Sequence, residues 1–331
     1  MPNFEIRPLS EEEFSLWDDF VDDSPRGTLF HKSFWLKASG RRFVIYGYFK
    51  GGTLFAGIPL AYRKMFGIKI ATHPPLAPYL GPIFRSQEAK YVNRISEEKE
   101  ISRQIAKRLK KELFALFVTP PGETDLQPFL WEGFSVGVKY TYIINLNNSL
   151  EDIWKSMNDK RRNNIRKAER DGINIIPSDD FDLCFSLVEK TFAKQDMKTD
   201  FKAAAFSYDK VLRQRQQCKS FLAKDKNGDY IATIYMVWDN KRGYYLMGGY
   251  DPEKGHHGAS SLAIWEAIKF AKKELGLAEF DFEGSMIPQL EQFFREFGGQ
   301  LTPFYTVRWL KPYLDVPSLI SRAGMAILHR L

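Results

Sequence analysis

The chain has 331 residues, enough for about two domains, and its 44% hydrophobic and 27% charged residues exclude wholesale disorder. Two cysteines, Cys184 and Cys218, exclude a disulfide framework or a four-thiolate zinc site and fit a reducing compartment. A net charge of +7 favours anionic partners (phosphates, nucleic acid or an acidic membrane surface), while no apolar run reaches the ~18 residues a membrane span needs and the N-terminus has no signal-peptide pattern, so a cytoplasmic location is expected.

The N-terminus reads as a strand and then a helix. Ser10 is a good N-cap, Glu13 completes a capping box, and Phe14, Trp17, Phe20 and Val21 recur at helical spacing. A turn at 22–27 and a short helical piece around Phe34 and Trp35 follow. Residues 42–84 are rich in β-branched and aromatic side chains cut by glycine and proline, with Gly51-Gly52 as a hairpin turn. The spacing of Ile101, Ile105, Leu109 and Leu113 predicts a helix over 97–116, followed by a strand, a helical segment near Leu126–Trp131 and the strand VKYTYIINL. The second half begins with one predicted helix over 149–172, closed by Gly172 as C-cap. Helices near 180–194 and 201–217, a strand-rich block from 220 to 251, a helix over 259–275, the strand AEFDFEG, the helix PQLEQFFREFG and the strand YTVRWLK complete it. The last twenty residues read as one more amphipathic helix, expected to pack against the first domain and able to touch a bilayer.

The two halves repeat. Gly52, Ala56, Ile58 and Tyr62 match Gly228, Ala232, Ile234 and Trp238 at one constant spacing. A Lys-Lys-Glu-Leu helix end, an aromatic-rich short helix and a Tyr-Thr strand then follow in the same order in both, ending on Tyr140-Thr141 and Tyr305-Thr306. Duplication at so long a period means two copies of one domain. The expected fold is mixed α/β: two tandem domains, each a central mixed sheet flanked by helices. The first spans 1–148, joined by the C-terminal segment 313–331; the second spans 149–312.

Chemistry-bearing residues fall in three places. Between Lys155 and Arg170 seven basic residues face two acids, and Arg162 and Arg166, four apart, share a helix face suited to forked phosphate contacts; a solvated helix face is the plainer reading. The loop from Gly248 to Ser261, between strand and helix, is glycine-rich and leads into a helix start, which favours an anion, although neither a Walker A loop nor a dinucleotide fingerprint is present. His256 and His257 lie in it, too few for a metal site, so no metal is expected. Asp281 and Glu283 alternate where a strand ends, as candidate acids or bases or as polar residues leaving the sheet.

The segment from Trp154 through Lys160, Arg162-Asn-Asn-Ile-Arg166 and Ala168 to Gly172 resembles a helix signature of the FemABX peptidyltransferases and related GNAT-like proteins. Phe280-Asp-Phe-Glu-Gly-Ser285, Phe293-Phe-x-x-Phe297-Gly-Gly and Tyr305 resemble the same family, and the stretches ending at Trp35 and around Tyr79 resemble its first domain. The resemblance covers nearly the whole chain and implies two tandem GNAT-type domains, without the coiled-coil arm some relatives insert. It also implies acyl transfer to an amine, with aminoacyl-tRNA or acyl-CoA as co-substrate, no tightly bound cofactor, and an acceptor such as a peptidoglycan precursor. The usual CoA-binding glycine motif is not well formed in either half. By the resemblance Lys160, Arg162 and Arg166, with Trp35 and Tyr79, hold substrate or phosphates; Tyr250, His257, Gly258, Ser260 and Ser261 line the donor groove; and Asp281, Glu283 and Tyr305 surround the transfer point. The alternative within enzymes, an acyl-CoA-dependent N-acetyltransferase acting on a small amine, predicts a pantetheine-shaped groove beside Gly258. The alternative outside enzymes is a binder of nucleic acid or anionic membrane through the basic helix.

Overall fold

The computed structural model describes residues 5–65 and 67–311. In chain order the elements are β1 (Glu5–Pro8), α1 (Phe14–Asp23), α2 (Ser33–Ala38), β2 (Arg42–Lys50), β3 (Thr53–Met65), β4 (Ile68–Thr72), β5 (Ile83–Phe84), α3 (Tyr91–Leu109), β6 (Phe114–Val118), α4 (Gln127–Trp131), β7 (Ser135–Asn145), α5 (Leu150–Ser156), α6 (Asp159–Arg170), β8 (Asn174–Ser178), α7 (Phe181–Lys194), α8 (Lys202–Gln214), β9 (Cys218–Lys224), β10 (Tyr230–Trp238), β11 (Arg242–Tyr250), α9 (Ala259–Lys273), β12 (Glu279–Asp281), α10 (Pro288–Arg295) and β13 (Gln300–Leu310). They form two compact units. One runs to Val138 and resumes at Phe304; the other is Lys139–Pro303.

The first unit orders its strands β1-β2-β3-β4-β6-β13, with β5 on β3. All neighbours are antiparallel except β4 and β6. The Gly51-Gly52 turn takes left-handed angles at both residues (φ 57° and 79°), as the twist of a two-residue hairpin requires. Against one face of this sheet α3 buries Ile101, Ile105 and Leu109, a stripe at helical spacing, onto Tyr48, Ile58 and Tyr62. The capping box of Ser10 and Glu13 is present and opens a short 3-10 turn ahead of α1, whose Trp17, Phe20 and Val21 are buried. The helix α3 stops at Leu109 rather than running to 116, because Phe114 already belongs to β6.

The second unit has the matching order, β8-β9-β10-β11-β12-β7, again with one parallel pair, β11 and β12. Its core gathers Ile231, Ile234 and Met236 of β10, Phe280 of β12 and the apolar face of α9. Burying each such large side chain contributes about 1.5–3 kcal/mol. The predicted helix over 149–172 is two helices, α5 and α6, because Asn158 caps α6 by accepting from the Lys160 N–H (2.9 Å) and breaks the run. Gly172 has φ 82°, as its predicted role after the helix requires.

The matching orders hide an exchange. β7 follows β6 in the chain, yet Ile143, Ile144 and Asn145 pair with β12 of the second unit. β13 follows β12, yet Thr306–Leu310 pair with β6 of the first. The divisions therefore fall inside β7 and β13, at 138/139 and 303/304, and not at the expected 148/149 and 312/313. Chain order alone does not tell which sheet a closing strand completes. The expected C-terminal helix and the segment 313–331 lie outside the described residues.

Candidate functional site

In the second unit β11 and β12 run parallel for three pairs only, Arg242 with Glu279, Gly243 with Phe280 and Tyr244 with Asp281, and then part. Leu246 is the extra residue of a bulge: Tyr245 pairs with Met236 and Met247 with Tyr235. A bulge bends its strand and raises its twist, which turns β11 away from its neighbour here. Beyond it, the Asp251 N–H bonds Ile231 O of β10. By strand alternation Gly249 and Met247 also address β10, whereas Gly248 and Tyr250 direct their backbone groups to the opposite side. There Thr191 of α7 takes both backbone groups of Tyr250 (2.7 and 3.1 Å). Gly248 and Tyr245 keep some solvent contact, and a side chain at 248 would strike the Tyr245 hydroxyl, so glycine lets that ring lie along the strand.

The carboxylates stand on the other side of the parting. Asp281 is fully buried. Its Oδ1 accepts the Thr141 hydroxyl (2.6 Å) and the Glu283 N–H (2.8 Å), so it fixes the turn that carries Glu283. That turn has two successive left-handed residues, Glu283 (φ 57°) and Gly284 (φ 74°). Glycine is required at 284, where a Cβ would run into Tyr140 O. At 283 a non-glycine residue holds the same conformation at a cost on the order of 1 kcal/mol. Glu283 is half-buried; its Oε1 is shut off from solvent and has no hydrogen-bond partner. Burial first, and then the Asp281 charge, push its carboxyl well above the usual range. Phe282 lies beneath, its ring 5.0 Å from Phe294 and 5.4 Å from Phe297 of the α10 segment, and Phe294 also meets Tyr245 at 5.3 Å. At the closed end of the strands Arg242 pairs with Glu279 (2.6 Å) and Tyr244 donates to Asp239 (2.7 Å).

The start of α9 is closed. Gly258 is buried, with Asn164 O of α6 where a Cβ would stand. Its N–H is taken by His256 Nδ1 (3.1 Å), so His256 Nε2 carries the proton and donates to Asp171 (3.0 Å). Ser261 is fully buried and bonded to Arg161 (2.5 Å). Gly258 and Ser261 are thus structural where the sequence suggests a donor groove; Ser260 is half-buried and His257 exposed on the same loop. Tyr250 is half-buried with Lys194 over its ring (5.4 Å).

On the basic helix the predicted residues face outward. Lys160 and Arg166 are exposed, Arg166 lying over Trp154 (5.4 Å), and the half-buried Arg162 pairs with Asp159. The residue missed is Arg161, buried in line with Ile165 and Ala168 on the inner face. The i, i+4, i+7 spacing of these three was the available signal. Tyr245 was missed as well, since a bulge leaves no mark in composition.

Trp35 and Tyr79 are fully buried in the first unit, in ring contact with Phe30 (5.0 and 6.1 Å), so they are core and offer a ligand no surface. Tyr305 belongs to the first unit too, its N–H bonded to Thr119 (3.0 Å). The first unit shows what became of the same parting there. β4 and β6 share one pair, Ala71 with Ala115. The gap is filled by the chain itself: Leu80 N bonds Val118 O (2.9 Å) and Gly81 packs on Thr119 and Val118. Aligned on Tyr140-Thr141 and Tyr305-Thr306, the strand registers put Leu116 and Val118 where Asp281 and Glu283 stand.

Among the described residues no group of His, Cys, Asp and Glu could hold a metal ion, and no helix is long and apolar enough to cross a membrane. Residues 158–293 match the family model of the acetyltransferase (GNAT) domain. No curated protein matches the chain. Among solved structures, FemX superposes with a TM-score of 0.68 at 16% identity over 91% of this chain and 96% of its own. L-PGS from Bacillus licheniformis gives 0.54 at 14% over 95% and 96%. A tandem GNAT protein from the clavulanic acid biosynthesis pathway gives 0.53 at 10% over 92% and 98%. At these identities the likeness shows the fold, which is tandem GNAT-type, as the repeat and the resemblance lead one to expect.

Proposed function

With a GNAT domain as the premise, we propose that the chain is an N-acyltransferase working through its second unit, and that its donor is an aminoacyl ester rather than acyl-CoA. The observation that carries the choice of donor is the closed start of α9. A helix N-terminus behind a glycine loop is the natural cradle for a pyrophosphate, but here α6 covers Gly258, His256 takes its N–H, and the Ser261 hydroxyl is bonded to Arg161. The match to an acetyltransferase domain favours the second reading, an acyl-CoA donor. The resemblance to FemABX proteins supports a peptidoglycan precursor's amine as acceptor.

In this reading the acceptor amine enters the gap between β11 and β12. It must be neutral to attack, and Glu283, whose carboxyl burial holds above its ordinary range, takes its proton. Asp281 touches no substrate; it holds the Glu283 turn. The tetrahedral oxyanion is met by the Gly248 N–H, which strand alternation turns toward the gap; on its collapse the ester C–O bond breaks, and the leaving hydroxyl takes the proton back from Glu283. Product formation therefore rises with pH as Glu283 ionises.

The test is mass-spectrometric detection of product after the full chain is mixed with charged tRNAs, acyl-CoAs and muropeptide precursors. Aminoacylated precursor is expected. Acylation from CoA, or tight acyl-CoA binding with charged tRNA ignored, overturns the choice of donor; no product from any mixture overturns the enzyme reading.

A further inference from the structure

The basic helix contributes something other than its exposed charges. Arg161 is 4% exposed, and its guanidinium joins three elements. One arm donates to Ser261 in the first turn of α9 (2.5 Å), and the other to Glu296 just past α10 (2.7 Å). Its face lies over the rings of Phe293 (4.1 Å) and Phe297 (5.0 Å). The backbone adds a further tie, Asn158 N to Glu296 O (2.9 Å). Of the two rings under the guanidinium, Phe297 covers Phe282, the residue immediately before Glu283, and Phe293 meets Phe294 (5.9 Å), which covers Phe282 as well. At the other end of α10 Tyr142 donates to Glu291.

We propose that Arg161 is a positioning residue: it clamps α10 against α6 and α9 and so keeps the aromatic cover over the Glu283 turn. A planar fork reaches two acceptors and stacks on rings together, which a lysine ammonium cannot do. The interest of the clamp rests on the role proposed for Glu283, but its existence does not. The ionisable groups around Glu283 are Asp281 two residues before it at the end of β12, Tyr245 across the gap on β11, and Cys184 of α7 behind Tyr245. None of them is altered by a change at 161, so a change in Glu283 titration reports the cover.

The experiment is a carbon-13 NMR titration of glutamate carboxyls in the full chain, with the Glu283 resonance identified by its loss in Glu283→Gln. In Arg161→Met the cover loosens, water reaches the turn, and the Glu283 midpoint falls by about one pH unit. Arg161→Lys keeps one of the two bonds and moves it less, in the same direction. An unchanged midpoint in a folded Arg161→Met protein overturns the proposal; should that variant not fold, an unchanged midpoint in Arg161→Lys does so. The titration needs no substrate, so a chain without transferase activity would sink the functional reading and leave the clamp to be decided on its own.

Discussion

The two units share one strand order and differ in what lies where the parallel strands part. In the first, the segment through Leu80 and Gly81 bonds along β6, and apolar Leu116 and Val118 occupy the positions of the acids. In the second, a bulge at Leu246 turns β11 aside and Asp281 and Glu283 border a gap that keeps solvent contact. Duplication supplied two such partings. One copy has spent its parting on stability, with Tyr79 and Leu80 buried in it. The other keeps a left-handed glutamate with an unpartnered oxygen, an arrangement that packing does not favour.

This contrast can be broken by experiment. The largest effect is expected at Glu283: Glu283→Gln lowers turnover by roughly 10²–10⁴-fold in a product assay. Its counterpart change, Val118→Ala, costs about 1–3 kcal/mol in urea unfolding and leaves turnover per folded molecule as it was. Equal losses of turnover would end the assignment of one working unit. Tyr79→Ala, which empties the filled parting, should cost about 3–5 kcal/mol by the same unfolding measurement, whereas Tyr245→Ala, partly exposed in the open one, should cost less than half of that. Gly258→Ala forces a methyl against Asn164 O and should cost about 1–3 kcal/mol, read as a lowered thermal midpoint. The smallest effect is in pH. Burial favours neutral Glu283, so between the ordinary carboxylate range and its raised value the folded chain binds more protons than the unfolded one. Its contribution is whole below that window and is lost as pH rises through the raised value. Wild type should therefore lose stability relative to Glu283→Gln on going from acid to alkaline pH in calorimetric scans.

Much of the fold was legible. The match of residues 52–62 with 228–238 places β3 and β10 at equivalent positions, and the periodicity of Phe181–Lys194 and Ala259–Lys273 marks helices that form. The strand exchange was not legible, because the apolar pattern of VKYTYIINL fits either sheet and nothing local selects one. In the site, Asp281 and Glu283 stood out by alternation in a strand. Their division of labour did not, since it depends on a backbone turn and on Thr141 from a distant strand. Trp35 and Tyr79 lie in stretches that resemble a family's first domain, yet burial makes them core. Arg161 was hidden by its charged neighbours: a count of basic residues does not separate the one facing inward from those in solvent.

The exchanged strands also bear on biosynthesis. Phe114–Val118 leave the ribosome early, but the pairing edge of that strand is completed only by Thr306–Leu310. Until then the nascent first half exposes an unsatisfied β-edge, a template for adhesion to other chains. Ladders closing over so long a separation form slowly. Chaperone dependence, and a late cooperative step when β13 emerges, are the consequences to look for during translation.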